Sequence, residues 1–404
     1  MRVLELYSGI GGMHYALNGN ITESGVGVEV VAAADINTLA NLVYRHNFPG
    51  TTLFQRNIQS LTVKEVDDMR IEMIVMSPPC QPFTRVGLKK DVSDVRTCSL
   101  LHVLTLLPDL KDSFRYLLVE NVKGFEKSQA RDNIISTLDS IDFSYQEFIL
   151  SPSQFSIPNT RHRYYLVAKR RPLAFCFENT RSVVNMGALY PRIHRNLKDV
   201  PEDSKKYRPA SLNELPVSLY DSSSENVSVS NLLSRLNLKH RSLVNQHNTD
   251  KSLCYPVEQI LETGQSEEHM AQFRVPDKVL GRHVKLLDLV EPSSTRSCCF
   301  TKAYTHYVEG TGSVLCPAGT NAVVRELKRA GVIEPGSEQQ LEILRRLGLR
   351  YFTEREIARL MCFPEVFTFP QDVSRRQKYR LLGNSINVHV VALLILLLVS
   401  EADK

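Results

Sequence analysis

The sequence predicts an α/β chain built on a doubly wound, mostly parallel sheet, with a second and smaller domain. Three observations carry that expectation. Short apolar runs such as Met73-Ile74-Val75-Met76 and Tyr116-Leu117-Leu118-Val119 read as buried strands and alternate with helical stretches. A glycine-rich turn follows the first strand, and the second strand ends in an acid, as in nucleoside-binding sheets. A last apolar stretch, Val388 to Val399, reads as a helix that returns the far end of the chain to the first strand.

Composition bounds the function. The 404 residues are 43% hydrophobic and 23% charged, ordinary for a soluble globular protein with an ample core. Forty-nine Lys and Arg against 44 Asp and Glu give a net charge of +5, which permits nucleic-acid binding without demanding it. The eight cysteines contain no Cys-x-x-Cys pair, so neither a disulfide framework nor a metal site is expected. No signal peptide precedes them, which implies an intracellular, reducing residence. The apolar C-terminal run is too short to cross a membrane, so no membrane partner is expected.

Taken in order, Arg2 to Tyr7 is a strand, and Ser8-Gly9-Ile10-Gly11-Gly12 turns it into a helix starting near Met13. Glycines there let backbone amides approach a ligand at a helix N-terminus. A dinucleotide fingerprint would want glycine where His14 stands, so a nicotinamide cofactor is disfavoured. Strand Val28 to Ala34 leads into Asp35, placed to accept hydrogen bonds from a ribose. The third unit ends at Asn57-Ile58-Gln59, and the fourth, Met73 to Met76, runs into Ser77-Pro78-Pro79-Cys80-Gln81-Pro82-Phe83. Two prolines forbid both ladder pairing and helix, so Cys80 is delivered on a stiff loop, as a nucleophile requires. A helix around Leu100 to Leu107 precedes strand Tyr116 to Val119, which ends in Glu120-Asn121-Val122. Cys80 and Glu120 should then face one crevice at the carboxyl edge of the sheet. Further on, Arg161 and Arg163 flank His162 ahead of strand Tyr164 to Ala168, and in an extended segment they share a face.

These blocks, with Arg350-Tyr351-Phe352-Thr353 through Leu360 and Tyr379-Arg380-Leu381-Leu382-Gly383-Asn384-Ser385-Ile386, resemble the cytosine-5 methyltransferases in order and spacing. Roughly half the chain is covered. Cys299-Phe300-Thr301 followed by Tyr307-Val308-Glu309-Gly310-Thr311-Gly312, and a start close to the first glycine loop, narrow the likeness to the type-2 branch, whose members methylate an anticodon-loop cytosine of tRNA-Asp. The resemblance implies a Rossmann-like, S-adenosylmethionine-dependent methyltransferase domain at 1–170 plus 346–404. A target-recognition domain would span 171–345, with a mobile Ser- and Asn-rich insert near 197–252 and a short helix near Leu232 to Leu236.

By that resemblance Cys80 adds to cytosine carbon 6, so that the resulting enamine can take the methyl group at carbon 5. Glu120 meets charge at ring nitrogen 3, Arg161 and Arg163 hold the flipped base and flanking phosphates, and Asn121 orients the cysteine loop. The cofactor is expected against Gly9, Ile10, Gly11 and Gly12, against Asp35 and Ile36, and against Asn57, Ile58 and Gln59. Ser77, Asn384 and Ser385 close its pocket. Lys89, Lys90, Lys123, Thr301 and Lys302 are expected at the substrate rim, beside Arg96. This chain departs from DNA-acting relatives at Asn57, usually Asp, and at Asn159, usually Gln; the first bears on adenine recognition, and the second on the nucleic-acid side and substrate choice. Cys298 and Cys299 are adjacent, which disfavours a bridge between them. The leading expectation is a tRNA methyltransferase acting as a monomer in the cytoplasm and the nucleus. A DNA methyltransferase is the second reading and a silent RNA-binding descendant the third; the complete set of Cys80, Glu120, Arg161 and Arg163 argues against the last.

Overall fold

A computed structural model describes residues 1–18, 27–79, 97–111, 113–185, 254–319 and 336–400, together with scattered positions between 325 and 334. The expected insert, its short helix, Cys80, Lys89, Lys90 and Arg96 lie outside the described residues.

The main sheet has eight strands: β1 (Arg2–Leu6), β2 (Glu29–Ala34), β3 (Thr52–Phe54), β4 (Met73–Met76), β5 (Tyr116–Val122), β6 (Phe143–Leu150), β7 (Arg163–Arg170) and β8 (Val183–Asn185). Their order is β3-β2-β1-β4-β5-β7-β6-β8. The first five strands in that order are parallel, and β7 runs antiparallel to both β5 and β6. Met73 to Met76 is buried at every position, as a central parallel strand with both faces covered must be. The expected doubly wound sheet is therefore the observed one. Two boundaries differ from expectation, because β5 continues through Val122 and carries Glu120 inside the ladder, and because β7 begins at Arg163.

The chain moves outward from β1 to β3 and then returns to the other side of β1 with β4. The carboxyl ends of β1 and β4 are thus neighbours at the point where strand order reverses, the crevice in which open α/β sheets bind ligands. Helix α1 (Gly12–Asn18) leaves the glycine loop, and α2 (Thr38–Asn47) starts on Asn37, whose side chain accepts from the amides of Leu39 and Ala40.

A second sheet, β9 (Asp288–Val290), β10 (Ser313–Leu315) and β11 (Arg350–Tyr351), has a core of its own around Leu280, Val314, Leu344 and Leu347. Ahead of this sheet the described residues form a turn at Val257–Ile260 and a helix at Glu267–Ala271.

The C-terminal helix spans Val388–Val399, as the sequence predicts. Asn387 caps it by accepting from Val390 N at 3.1 Å, and its other amide hydrogens reach Leu360 O at 3.2 Å. A helix apolar all round belongs inside a core, and ten of its residues are buried. Its main neighbour is α1 rather than the first strand, with further contact to β5 and β7. Truncating Leu394, 1% exposed, to alanine should leave a cavity and cost about 2–5 kcal/mol. Urea unfolding should show a lowered midpoint at an unchanged slope.

Candidate active site

The glycine loop forms where Tyr7, at φ 56°, turns the chain off β1. Ser8 N donates to Ala34 O at 3.2 Å, and Gly11 N closes the turn on Ser8 O at 2.9 Å. Gly11 has φ 84° and lies against Phe48, so a side chain there would be strained in its backbone and would collide with the ring. A Cβ on Gly12 would fall 2.7 Å from Ile386 and 3.2 Å from the Ser385 hydroxyl. The block expected to close the pocket from the far end of the chain does rest on the glycine loop.

Asp35 is mostly buried beside this loop. Its Oδ2 accepts from Gly9 N at 2.9 Å and its Oδ1 from Asn37 N at 2.8 Å. Burial raises its pKa, against these amide hydrogen bonds. Each carboxylate oxygen retains a second lone pair, so accepting from a ribose remains open to it. Ile36 next to it is 67% exposed, an apolar ledge beside the acid. Asn57 spends its carboxamide on its own turn, accepting from Gln59 N at 3.0 Å and donating to Gln59 Oε1 at 2.9 Å. Ile58 and Ile10 bury their side chains in the core and present only backbone to a ligand.

Ser8 Oγ is buried with no hydrogen-bond partner among the described residues. An orphaned hydroxyl in a glycine loop, an acid, an exposed isoleucine and the exposed Asn57–Gln59 turn fit a nucleoside carrying a polar tail, as S-adenosylmethionine does.

Ser77 Oγ donates to Tyr7 O at 3.2 Å and so ties the start of the proline loop to the glycine loop. Asn121 Nδ2 donates to Pro78 O at 3.3 Å and holds the peptide two residues before Cys80, consistent with the orienting role expected of it. Glu120 is buried, and Arg163 Nε lies 3.4 Å from its Oε1. Burial raises the Glu120 pKa, while Arg163 and Arg161 oppose the rise. Antiparallel pairing explains this meeting, because Val122 lies opposite Arg163 and Glu120 opposite Tyr165.

Arg161 is enclosed close to Arg163, Glu120 and Cys299. It is 3% exposed; its Nη1 reaches Phe300 O at 3.0 Å and Cys299 Sγ at 3.2 Å, and its Nη2 reaches Gly383 O at 3.2 Å and Ser385 O. Through these contacts Arg161 ties the Phe300 and Ser385 segments together. Residue 161 precedes β7, outside the strand whose alternation would have put both arginines on one face. Cys299 is held between the two arginines, which lower its thiol pKa against burial. Asn159 is buried and donates to Ser297 Oγ at 3.1 Å and Cys298 O at 2.9 Å, so it joins segments of the chain instead of facing substrate. Lys123, Lys302 and Asn384 are exposed, and Thr301 is half-buried with its amide on Thr311 O.

Sequence reasoning did not find a second group beneath the glycine loop. Glu5 on β1 is fully enclosed, and Tyr44 donates to its Oε2 at 2.9 Å. His14 Nδ1 lies 2.7 Å from the Tyr44 oxygen, and its ring stacks on Phe48 at 3.7 Å. The Tyr44 proton points to Glu5, so the short contact assigns a hydrogen to His14 Nδ1. Burial holds His14 down at about 4, hence neutral, and raises Glu5 to about 8. The only sequence signal was an acid inside an otherwise apolar strand.

Comparison with known proteins shows what the whole chain resembles. The signature described as C-5 cytosine-specific DNA methylase matches residues 1–396. The rat protein named tRNA (cytosine(38)-C(5))-methyltransferase is 43% identical over 98% of this chain and 99% of its own length. A Dictyostelium discoideum protein named DNA (cytosine-5)-methyltransferase is 36% identical over all of this chain and 96% of its own. The crystal structure of a mutant DNMT2 from Spodoptera frugiperda superposes with a TM-score of 0.74 at 38% identity, covering 99% of both chains.

The Glu5 pKa predicts how stability depends on pH. Its folded value, about 8, exceeds the ordinary 4.5, so the folded state holds the proton more tightly. The Glu5 contribution to stability should be greatest below the ordinary value, fall as pH rises between it and about 8, and level beyond. Glu5→Gln should remove that contribution, so the difference in unfolding midpoint between parent and variant should change between about pH 5 and pH 8. A variant as steeply pH-dependent as the parent would deny Glu5 the role.

Proposed function

This chain belongs to the C-5 cytosine-specific DNA methylase family, and from that premise we propose that the cytosine it methylates lies in tRNA, in the anticodon loop of tRNA-Asp, through a covalent adduct of Cys80. Methylases of this family use S-adenosylmethionine, which when bound supplies an electrophilic methyl group. The observation that carries the tRNA reading is 43% identity along nearly the whole chain to proteins named tRNA (cytosine(38)-C(5))-methyltransferase from rat and from human. The second reading, a DNA methylase, draws on the 36% identical Dictyostelium protein of that name.

The roles follow from the groups available. Carbon 5 of cytosine is a weak nucleophile until a thiolate adds at carbon 6. Cys80 supplies that sulfur from the loop that Asn121 and Ser77 tether through Pro78 and Tyr7. As the C6–S bond forms, electron density moves into the ring, and nitrogen 3 needs a hydrogen bond or a proton. Glu120 is suited to give one, because burial favours its protonated form while Arg163 stabilises the carboxylate left behind. After methylation a base takes the carbon 5 proton, the C5–C6 double bond reforms, and the Cys80 thiolate leaves. Asp35, Ile36 and the Asn57–Gln59 turn hold the nucleoside of the cofactor, and the glycine loop with Ser385 holds its amino-acid end.

An anticodon-loop cytosine is already unpaired, so presenting it avoids the few kcal/mol that flipping a base from duplex DNA requires. Lys123 and Lys302 are exposed, as side chains at a substrate rim would be. Cys98, Cys298, Cys299, Cys316 and Cys362 carry thiols, in keeping with a reducing, intracellular residence in cytoplasm or nucleus.

Methyl transfer to unmodified tRNA and to duplex DNA, measured side by side, tests the reading. tRNA-Asp should be methylated at least tenfold faster than DNA, and preference for DNA would overturn the tRNA assignment. Cys80→Ala should bind S-adenosylmethionine and transfer no methyl group. Wild type alone should be trapped by tRNA containing 5-fluorocytosine, since fluorine cannot leave as a proton does; near-normal turnover by Cys80→Ala would refute the adduct.

A further inference from the structure

The loop after Cys299-Phe300-Thr301 is closed at its base and carries an aromatic pair that the roles above do not use. Thr301 N donates to Thr311 O at 2.9 Å, and Thr311 Oγ1 closes back on Tyr307 O at 2.7 Å. Inside the loop Tyr304 is buried. Its hydroxyl donates to Ser313 O at 2.7 Å and accepts from Phe352 N at 2.9 Å, and its ring meets Phe300, Tyr351 and Tyr379 edge-on. Gly312 is packed so closely that a Cβ there would fall 2.6 Å from Tyr304 and 2.7 Å from Phe300.

Strain accompanies this closure. Thr305 has φ 67°, which a β-branched residue adopts only where its surroundings over-determine it, and such strain concentrates at functional sites. The two residues after it are exposed: Tyr307 at 64%, with His306 edge-on at a ring-centroid distance of 4.7 Å. A singly exposed tyrosine is ordinary on a protein surface. This one stands on a strained and pinned loop joined to the active site. Gly383 packs directly on the Thr301–Lys302 peptide, and Phe300 O accepts from Arg161, whose guanidinium also holds Ser385. Lys302 and Glu309, both exposed, oppose each other in charge, so the loop offers a ring face more than an attraction for phosphate.

We propose that Tyr307, backed by His306, is a stacking platform for an unpaired base of the RNA substrate. The inference rests on the tRNA reading above and deepens it. Bases in single-stranded loops are splayed and stack on aromatic side chains whatever their identity, whereas duplex bases are occupied with one another. The platform therefore selects for open nucleotides.

The test compares wild type, Tyr307→Ala, Tyr307→Phe and Tyr307→Trp in tRNA methylation kinetics and in direct tRNA binding. Alanine should raise both KM and Kd about tenfold, equivalent to about 1.4 kcal/mol, and change kcat at saturation less than twofold. Phenylalanine and tryptophan should restore wild-type values, because stacking needs the ring and not the hydroxyl. Unchanged KM and Kd in a folded alanine variant would overturn the platform, and so would a phenylalanine variant as impaired as alanine. If wild type methylates DNA and not tRNA, the tRNA reading falls by itself. Kd for a single-stranded RNA oligonucleotide then decides the platform, which stands if alanine weakens binding and falls if it does not.

Discussion

The site depends on one buried guanidinium. Arginine has five N–H donors, no acceptor and no practical route to neutrality, so it can be enclosed only where oxygens converge on it. Around Arg161 those acceptors come from distant stretches: Phe300 O and Cys299 Sγ from the segment leading into β10, and Gly383 O and Ser385 O from the segment before the last helix. Its own amide donates to Ser151 Oγ at 3.1 Å, which fixes the turn after β6. The glycine loop is closed by Ser385 and Ile386, and the Tyr307 loop starts at Phe300. Both edges of the crevice therefore share this one charge.

Strand direction explains why the chemistry gathers on a single edge. The parallel strands β1, β4 and β5 all deliver their carboxyl ends there, bringing the glycine loop, the proline loop and Glu120. An antiparallel strand next to them presents its amino end at the same edge. The turn from Ser151 to Arg161 and the first residue of β7 then lie beside Glu120 without further chain. A parallel β7 would have carried Arg163 to the opposite edge, a strand length away from the carboxylate it pairs with.

What was legible in the sequence was local. Ser77-Pro78-Pro79 announces a stiff exit from a strand through the chemistry of two prolines, and Asp35 follows β2 as an apolar run ending in an acid predicts; Glu120 was read from the same kind of pattern but lies inside β5. The terminal helix was legible to the residue, since a run of twelve residues with so little polarity has few other fates. The role of Arg161 was not, because its partners are between 138 and 224 residues away in the chain and are mostly carbonyls, which every residue possesses. The burial of Asn159 against Ser297 and Cys298 was not legible either, being a property of the fold that leaves no mark on neighbouring residue types. Glu5 had a mark, an acid in an apolar strand, yet without Tyr44 and His14 in view that mark has no direction.

Two enclosed carboxyls on strands that flank β4 show how neighbours divide scaffold from chemistry. Burial raises the pKa of both Glu5 and Glu120. Glu5 is met by neutral donors, the Tyr44 hydroxyl and a backbone amide, and Asp35 nearby raises it further, so ionising it leaves a charge with no counter-charge. A protonated Glu5 is therefore the stable form through neutral pH, and it braces the floor beneath the glycine loop without exchanging its proton. Glu120 meets the same desolvation but faces Arg163 at 3.4 Å, with Arg161 nearby, so burial favours its neutral form while its carboxylate has the counter-charge that Glu5 lacks. A group that is comfortable in either state can lend a proton and recover it, which charge developing on a cytosine ring requires. Both arginines oppose the rise that burial gives this carboxyl, Arg163 in direct contact, while Arg161 also holds the Phe300 and Ser385 segments beside it.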